Sequence, residues 1–570
     1  MESSPVEVTE TPTVAEDPAL ALSHRAKLEI LGAVLLGLFL VALDQTIVGT
    51  ALPRIVTDLG GNDLYTWVVT IYLLTSTITV PFYGKLSDIY GRRPMLMIGI
   101  SLFMIGSALS GLSQEMWQLI LFRGIQGLGA GALFPIALAV IGDLFTPAER
   151  GKYQGLFGAV FGISFLIGPG LGGFLTDNVS WHWIFFVNLP VGVISLAVIW
   201  KLLPTIKRSD TSRHLDYLGA AVFTVAIGFL LVGLTNKQSG DWGDAFVGGF
   251  IAIGLLLSSV FVFIESKAKQ PIVPLDLWRN RTYVASIMST FFVSFGFFGA
   301  IIFLPRWFQV VRNETATASG YLIFPMLIGL IGSSIIAGAL VSRTGKYKAI
   351  VLSGLIAMTV GITLMTQLRS DTEYPALFLW MFVAGLGIGP TLSVFTIIVQ
   401  NAVPFAKLGV ATSNLTFFRQ IGGSVGLAIA GTLFGQGLTD ELPAQTDTVF
   451  KSMAAQVPAQ AQPFVQQFQS AFNGALQNGT GLDLNNQTGV GQSFGQAILK
   501  GAPLEAQGFL APFVAQFDQA FANAMSLAIA HTFYLAAGAT ILAFLFALFM
   551  HEIPLRKTMG DHAPEPAIAI

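Results

Sequence analysis

Fourteen apolar runs divide this chain of 570 residues, and each is about as long as the roughly 20 residues that a helix needs to cross a bilayer. The composition is 53% hydrophobic and 11% charged, whereas soluble domains carry about 25% charged residues. Too little polar surface is present to cover a water-soluble body, so the sequence predicts an all-α polytopic membrane protein. The runs lie near residues 28–52, 66–84, 94–112, 117–141, 153–176, 184–203, 215–235, 246–265, 283–305, 319–341, 349–367, 376–399, 409–436 and 524–550.

Basic residues alternate between the loops in a way that predicts the orientation of the chain. Short loops rich in Lys and Arg stay in the cytoplasm. The turn GKLSDIYGRRP at 84–94 carries four charged side chains between two apolar runs, and every second loop after it is also basic. An even number of spans then places both termini in the cytoplasm. A cleaved signal peptide begins with a basic region that is followed by an apolar region, and the acidic stretch 1–27 has neither. It is therefore predicted to be a cytoplasmic tail.

An internal repeat indicates how the spans are grouped. GALVSRTGK at 338–346 has the outline of GKLSDIYGR at 84–92, and Ser342 stands where Asp88 stands. Such repeats are typical of secondary transporters built from two related halves. We therefore predict two six-helix bundles, with the apolar pair at 215–265 inserted between them. The predicted divisions are a cytoplasmic tail at 1–27, the first bundle at 28–203, a linker with two inserted spans at 204–270, five helices of the second bundle at 271–436, an extracytoplasmic loop at 437–523, the last span at 524–551 and a cytoplasmic tail at 552–570.

The long loop contains a second repeat. PFVQQFQSAFNGA at 463–475 returns as PFVAQFDQAFANA at 512–524. Phenylalanine recurs every fourth residue in each copy, which predicts two short amphipathic helices. These helices either pack on each other as a small cap, or dip into the outer leaflet and guide an apolar cargo. The segment 437–523 is also a candidate surface for an extracytoplasmic partner. The two stripes consist of Phe464, Phe468 and Phe472, and of Phe513, Phe517 and Phe521.

Two charges of opposite sign lie at similar depths in the predicted membrane. A charge in the hydrocarbon region costs about 2.5–3.5 kcal/mol on insertion scales, so each one is a candidate for function. Asp44 lies in the first span and Arg123 in the fourth, and we expect them to interact. Burial disfavours the ionised form of a carboxyl group and a nearby cation favours it, so a changing Asp44–Arg123 distance would load and release a proton. A permanent structural pair is the alternative.

A third buried charge, Arg419, lies near the middle of the thirteenth span, where the second half of the chain offers no acidic residue as a partner. It is predicted either to donate hydrogen bonds to nearby carbonyl and amide groups or to contact an anionic group on a cargo. The candidate residues of a central cavity are Gln45, Gln126, Asn188, Asn414, Arg419 and Gln420.

The fifth span carries GISFLIGPGLGG at 162–173. Glycines allow helices to approach closely, and a proline inside a helix removes one hydrogen bond and bends it. The pattern predicts a bent, tightly packed helix at a moving interface between the halves. Its key residues are Gly162, Gly168, Pro169, Gly172 and Gly173.

Signatures of soluble enzymes are missing from the sequence. The chain has no cysteine, no P-loop ending in Gly-Lys-Ser/Thr and no His/Cys set with metal-ligand spacing. We therefore expect no enzymatic activity, no ATP-driven transport, no metal and no cofactor. A formal net charge of -2 without a basic tract gives no indication of nucleic-acid binding.

Together these motifs resemble the major facilitator superfamily, and within it the fourteen-span drug:proton antiporter branch. The resemblance covers 28–436 and the last span. GKLSDIYGRR resembles the cytoplasmic gating motif, LILFRGIQGLGAG at 119–131 the fourth-span motif tied to proton coupling, and GPGLGG the antiporter signature. LDQTIVGTALP resembles the first-span motif of the branch, although Gly49 replaces a usual Asn, and the segment 400–426 is also similar to this branch.

The resemblance implies roles for individual residues. Asp44 would be the protonation site and Arg123 its coupling partner, while Asp143 and Arg150 would join the gating network around Asp88 and Arg93. The implied cytoplasmic gate consists of Gly84, Asp88, Gly91, Arg92, Arg93, Asp143 and Arg150.

Three functions follow as hypotheses. The first is a proton-coupled antiporter in the bacterial cytoplasmic membrane that exports amphiphilic or lipophilic compounds such as drugs by alternating access. The second is an exporter of an endogenous lipid or lipid-like molecule that uses the phenylalanine-rich loop. The third is a membrane sensor that transports nothing. We expect a monomer whose partners are membrane lipids and a small lipophilic substrate, with the proton gradient as energy source.

Overall fold

The computed structural model describes residues 22–60, 64–204, 216–237, 240–268, 270–456, 462–477, 494–501 and 504–555. The predicted tails beyond these limits and the linker residues 205–215 therefore lie outside the described residues. The described residues form α-helices joined by short turns, and fourteen helical segments are long and apolar enough to span a membrane. This confirms the predicted all-α fold and its number of spans.

The helices are α1 His24–Leu59, α2 Tyr65–Tyr90, α3 Arg92–Ser110, α4 Met116–Leu144, α5 Pro147–Asn178, α6 Trp183–Phe186, α7 Asn188–Leu202, α8 Tyr217–Asn236, α9 Phe250–Lys267, α10 Arg281–Val311, α11 Ala316–Leu322, α12 Phe324–Thr344, α13 Lys348–Met365, α14 Tyr374–Ala402, α15 Leu408–Gln456, α16 Gln462–Gln477, α17 Phe494–Gly501, α18 Leu504–Leu510 and α19 Val514–Leu548. The sixth span combines α6 with α7, and the tenth span combines α11 from Thr317 onwards with α12.

Two bundles repeat the same helix pairings. In the first bundle, α1 packs against α5 and α7, and both α2 and α3 pack against α4. In the second, α10 packs against α15 and α19, and both α12 and α13 pack against α14. The second bundle therefore repeats the first, with α10, α12, α13, α14, α15 and α19 in the positions of α1 to α5 and α7. This confirms two related six-helix bundles.

The bundles meet along two equivalent seams, one between α2 and α15 and the other between α5 and α12. The glycines matched by the internal repeat lie one at each seam. A Cβ atom on Gly84 would lie 2.0 Å from Ser413 Oγ, and one on Gly338 would lie 2.0 Å from the carbonyl oxygen of Gly151. Any side chain at these two positions would push the helices apart, so the glycines permit the close contact of the bundles.

The inserted pair α8 and α9 covers the first seam. The helices pack on each other, and α8 also contacts α2 and α15. The ring of Phe223 in α8 lies 5.7 Å from that of Phe82 and 5.3 Å from that of Phe417. On the α9 side, Lys85 of α2 donates a hydrogen bond to Gln270, which follows the insertion. The insertion is therefore packed against helices of both bundles.

The segment predicted as one long loop is largely helical. α15 continues to Gln456 without a break, and its 49 residues at 1.5 Å each span about 74 Å, more than twice the roughly 30 Å of bilayer hydrocarbon. The second phenylalanine copy is not a separate helix but enters the start of α19, so that part of the prediction is wrong. The extension of α15 is amphipathic, because Leu438, Leu442 and Val449 are buried at helical spacing and pack towards α19.

The phenylalanine stripes meet through two further phenylalanines. Phe450 of α15 lies 5.8 Å from Phe472 and 5.3 Å from Phe517. Phe494 of α17 lies 6.3 Å from Phe472 and 4.4 Å from Phe521. All five rings are at most 8% exposed. This phenylalanine cluster is thus the core of a small cap, as in the first of the two interpretations of the repeat.

Candidate functional site

Asp44 lies inside the first bundle and is completely buried. Arg123 Nη1 donates to its Oδ2 atom at 2.5 Å, and Gln126 Nε2 donates to its Oδ1 atom at 2.8 Å. Asn188 Nδ2 lies 3.4 Å from the same Oδ1 and 3.0 Å from the hydroxyl of Ser107. Four helices, α1, α3, α4 and α7, therefore contribute to one hydrogen-bonded cluster around a single carboxylate.

Arg123 is fixed on its other sides as well. Its guanidinium lies 4.2 Å from the centre of the Tyr72 ring, and Nη1 also donates to Gln126 Oε1 at 2.7 Å. The opposite charges compensate each other in a region without water contact. Removing one charge of such a pair typically costs 3–5 kcal/mol, because it leaves the other charge buried and unpaired. Nothing in the sequence distinguishes Tyr72 for this role, because aromatic residues are common in the packed interior of membrane helices.

Gln126 and Asn188, which the sequence predicted to face a central cavity, belong to the Asp44 cluster in this structure. Both are fully buried and bind Asp44 or its neighbours instead. Asn414 is also buried and donates to the hydroxyl of Tyr283 at 3.0 Å. Among the described candidates, Asn188 Oδ1, Arg419 Nη2 and Gln420 Oε1 are buried atoms without a hydrogen-bond partner. The spacing of polar residues within spans identified a polar cluster but not the direction in which each side chain points.

The uncovered face of α1 passes next to the Asp44 cluster. Gln45 is exposed, and no atom lies within 4 Å of a Cβ built on Gly49 one turn further along. Gly49 thus leaves the helix surface open where a larger side chain would project.

The gating motif forms a buried ion-pair network at the end of the bundles where α2 ends and α3 begins, here called the gate end. Arg92 pairs with Asp88 at 2.6 Å and with Asp143 at 2.7 Å. Gly91 has a φ of 99°, which separates the two helices and turns Arg92 inward. Asp143 therefore joins the network as the resemblance implied, but through Arg92. Arg93 is half-buried and forms no ion pair among the described residues.

Arg150 supports the gate end through the backbone. It donates to the carbonyl oxygens of Gly142 at 2.5 Å and Phe145 at 3.0 Å, where α4 ends. The last carbonyls of a helix lack intrahelical partners, and a cation there also interacts favourably with the helix dipole.

Contacts between the bundles close the gate end. Asp88 Oδ2 accepts from the backbone nitrogen of Val410 in the first turn of α15. Gln154 of α5 donates to Gln400 of α14 at 2.9 Å, and Gln400 donates to the carbonyl oxygen of Leu138 in α4 at 3.0 Å. The glutamine pair was missed by the sequence reasoning, although two glutamines inside apolar runs were a usable signal. Polar groups buried at such a seam are satisfied only while the bundles touch.

The residues after the last span are tied to the same end. The hydroxyl of Tyr347 donates to the carbonyl oxygen of His551 at 2.9 Å and accepts from the backbone nitrogen of Ile553. Burial raises the pKa of Tyr347 to about 12, so the phenol stays protonated and able to donate at neutral pH.

The glycine-rich motif of α5 packs on α1 on one side and on α11 and α12 on the other. A Cβ on Gly168 would lie 2.0 Å from Thr46 Oγ1, whereas one on Gly162 would lie 2.1 Å from the side chain of Ile331. Thr46 donates to the carbonyl oxygen of Ser164 at 3.2 Å, beside the position where Pro169 interrupts the helix hydrogen bonds. The motif thus joins the helix that carries Asp44 to the second seam between the bundles. Gly172 faces α1 and Gly173 faces Thr317 in the same way.

Two related bundles of spanning helices, a buried ion pair within one of them and a gate shared by both define a multi-pass membrane transport protein. The chain belongs to the Major Facilitator Superfamily, whose profile matches residues 34–427. It is 35% identical to the multidrug transporter protein MdtP of Bacillus subtilis over 94% of this chain and 95% of that one. It is 33% identical to multidrug resistance protein 3 of the same organism over 95% of this chain and 98% of that one.

Solved structures agree with the fold. The crystal structure of the human organic anion transporter MFSD10 covers 72% of this chain and 94% of its own, with a TM-score of 0.54 and 17% identity. At that identity the likeness concerns the fold alone.

Proposed function

We propose that this protein is a proton-coupled antiporter that exports amphiphilic or lipophilic compounds, such as drugs, by alternating access. The relatives named as multidrug transporters support efflux as the activity. The observation that carries proton coupling is the burial of Asp44 with three hydrogen-bond donors, of which one is the cation Arg123. An intramembrane carboxylate of this kind is a functional group by default.

In this mechanism, a proton neutralises Asp44 and weakens its attraction for Arg123. Arg123 and Gln126 then change partners, and the helices α1 and α4 that carry them shift relative to each other. Inward proton movement supplies about 2.3 kcal/mol per charge per 100 mV, in addition to the pH gradient. The exposed face of α1 at Gln45 and Gly49 is the proposed route for the proton to Asp44.

The gate end supports an assignment of sides. Basic residues at this end favour the cytoplasm, so both termini would be cytoplasmic and the closed gate would belong to an outward-facing or occluded state. Opening towards the cytoplasm requires Asp88 to release Val410 and the Gln154–Gln400 pair to separate. We place the protein in the bacterial cytoplasmic membrane as a monomer without a cofactor.

The test uses purified protein in liposomes with a pH gradient and a fluorescent cationic drug. The Asp44→Asn variant should abolish efflux driven by the gradient while drug binding persists. Asp58→Asn is the matched control, because Asp58 is an exposed acid at the end of the same helix. Gradient-driven efflux by Asp44→Asn at the wild-type rate would rule out the assigned proton site.

The alternative of lipid export rested on phenylalanines exposed beside an exit to the outer leaflet. Because the phenylalanine cluster is the buried core of the cap, that motivation is weakened and drug export is the better-supported proposal.

A further inference from the structure

A cation without an anionic partner lies between the two bundles. Arg419 of α15 is 8% exposed, and its Nη2 atom has no hydrogen-bond partner among the described residues. None of the ion pairs found among the described residues includes Arg419. Its guanidinium lies 5.6 Å from the ring of Phe134 in α4, which belongs to the other bundle. An arginine stays protonated in proteins, so an uncompensated positive charge is present at the seam.

This guanidinium lines a small cavity in the second bundle. The cavity is formed by α10, α14 and α15, and Arg419 is the charged residue in its wall. Thr290 also lines it, and its buried hydroxyl has no hydrogen-bond partner among the described residues. The hydroxyls of Ser294 and Thr391 complete the polar part of the wall, while Phe297 contributes to the apolar part. Two unpaired donors therefore share one cavity.

Unpaired buried donors are costly, and a charged one is the most costly. An acceptor that carries negative charge would satisfy both donors, and the planar guanidinium fork matches a carboxylate in particular. A cationic cargo would meet repulsion in the same place. The apolar wall, which includes Phe297, suits a hydrocarbon part attached to the anionic group.

We propose that this cavity, the Arg419 pocket, binds the carboxylate or a similar anionic oxygen group of an amphiphilic cargo. Arg419 holds the charge and Thr290 donates a second hydrogen bond. The inference rests on the proposed function and narrows it, since it adds anionic amphiphiles to the compounds exported. Because Arg419 also lies against Phe134 of the first bundle, the residue that would hold the cargo touches both halves of the transporter.

The test compares two probes that differ in a single charge, 11-(dansylamino)undecanoic acid and its methyl ester. Their binding to the purified protein in a neutral maltoside detergent is measured by dansyl fluorescence at pH 8. The wild type should bind the acid at least tenfold more tightly than the ester. Arg419→Gln should remove this difference, Arg419→Lys should keep part of it, and Thr290→Val should weaken acid binding about threefold without changing ester binding.

Thr359→Val is the control for Thr290→Val, because Thr359 lies in α13, outside the cavity wall, and its hydroxyl is already bonded to a backbone carbonyl of its own helix and to the hydroxyl of Thr540. If Arg419→Gln weakens both probes equally, or if the wild type does not distinguish them, Arg419 is a structural residue and the proposal is overturned. The melting temperature of each variant separates this outcome from misfolding, and Arg419→Lys and Thr290→Val test the pocket if Arg419→Gln does not fold.

Flux of the acid probe in liposomes distinguishes a cargo from a resident lipid. Arg419-dependent export supports the proposal. Arg419-dependent binding without export, in protein that exports a cationic drug, overturns the cargo assignment and points to the headgroup of an anionic lipid. If the cationic drug is not exported either, the proposed function is wrong. The binding data still show in that case whether the Arg419 pocket binds an anion.

Discussion

Asp88, near the end of α2, accepts a hydrogen bond from the backbone nitrogen of Val410, 3.0 Å away in the first turn of α15. The first N–H groups of a helix lack intrahelical partners, and the helix dipole favours a negative charge beside them. Arg92 orients the carboxylate through its 2.6 Å ion pair. One of the contacts that close the gate end is therefore a charge that reaches from one bundle to a helix end of the other.

Asp88→Asn is expected to open the gate end. A hydrogen bond to a charged group contributes roughly 1.5–3 kcal/mol, so its loss should shift the closed population about tenfold or more. The chain contains no cysteine, so Ser413→Cys, buried at the seam beside Gly84, introduces a single thiol as a reporter. Its rate of modification by a water-soluble maleimide should rise about tenfold in the Asp88→Asn background.

Glu29→Gln serves as the control, because Glu29 is an exposed acid near the start of α1 at the same end. It should leave the rate of thiol modification unchanged. Equal rates in the Asp88→Asn and wild-type backgrounds would show that the other contacts between the bundles, including the Gln154–Gln400 pair, keep the gate closed.

The Asp44–Arg123 pair should behave as a coupled unit in unfolding. Either Asp44→Asn or Arg123→Gln leaves one buried charge unpaired, for which about 3–5 kcal/mol of destabilisation is expected. The double variant removes both charges, so its loss should be smaller than the sum of the two single losses by about 0.5–3 kcal/mol. Thermal unfolding in detergent measures the difference.

The exposed pair Lys451–Asp447 in the extension of α15 provides a comparison. Surface pairs contribute about 0–1 kcal/mol, so its double-mutant cycle should show little coupling. Additive losses at Asp44 and Arg123 would mean that Gln126 and Asn188 alone stabilise the carboxylate.

The third prediction concerns Gly338, the glycine at the seam between α5 and α12. Gly338→Ala places a methyl group 2.0 Å from the carbonyl oxygen of Gly151, and overpacking of this kind costs about 1–3 kcal/mol. The melting temperature and the transport rate should both fall. Gly332→Ala lies on the same helix with no atom within 4 Å, so it should be neutral or stabilising by up to about 1 kcal/mol, since alanine is the better helix former. Equal effects of both substitutions would argue against a tight seam.

The residue types and spacings predicted the parts of this protein that depend on the bilayer. Every charge in the hydrocarbon region costs free energy, so charges are rare in the spans. This rarity was enough to select Asp44, Arg123 and Arg419 as candidates. The internal repeat predicted two bundles, and Gly84 and Gly338 do occupy equivalent seams.

Side-chain direction and helix length outside the bilayer were not predictable in the same way. Gln126 and Asn188 point into the Asp44 cluster because of how α3, α4 and α7 pack, which depends on contacts remote in sequence. Hydropathy ends the thirteenth span near residue 436, whereas tertiary packing of Leu438 and Leu442 on α19 continues α15 to Gln456. Helices in water depend on such packing more than on composition.

The phenylalanine cluster allows the cap to be tested separately from the bundles. Phe450 is 1% exposed and contacts residues of both copies of the repeat. Phe450→Ala removes a large buried side chain, for which about 3–5 kcal/mol is expected, and the loss should fall first on the cap, where the ring contacts Phe472 and Phe517. Limited proteolysis with chymotrypsin should cut more rapidly between residues 457 and 513 in this variant, while the spans stay protected and drug efflux continues. Phe509→Ala, at a position that is 45% exposed, should change neither property. If Phe450→Ala instead abolishes efflux from an otherwise folded protein, the cap takes part in the passage of cargo, and lipid export guided by this segment becomes the stronger hypothesis.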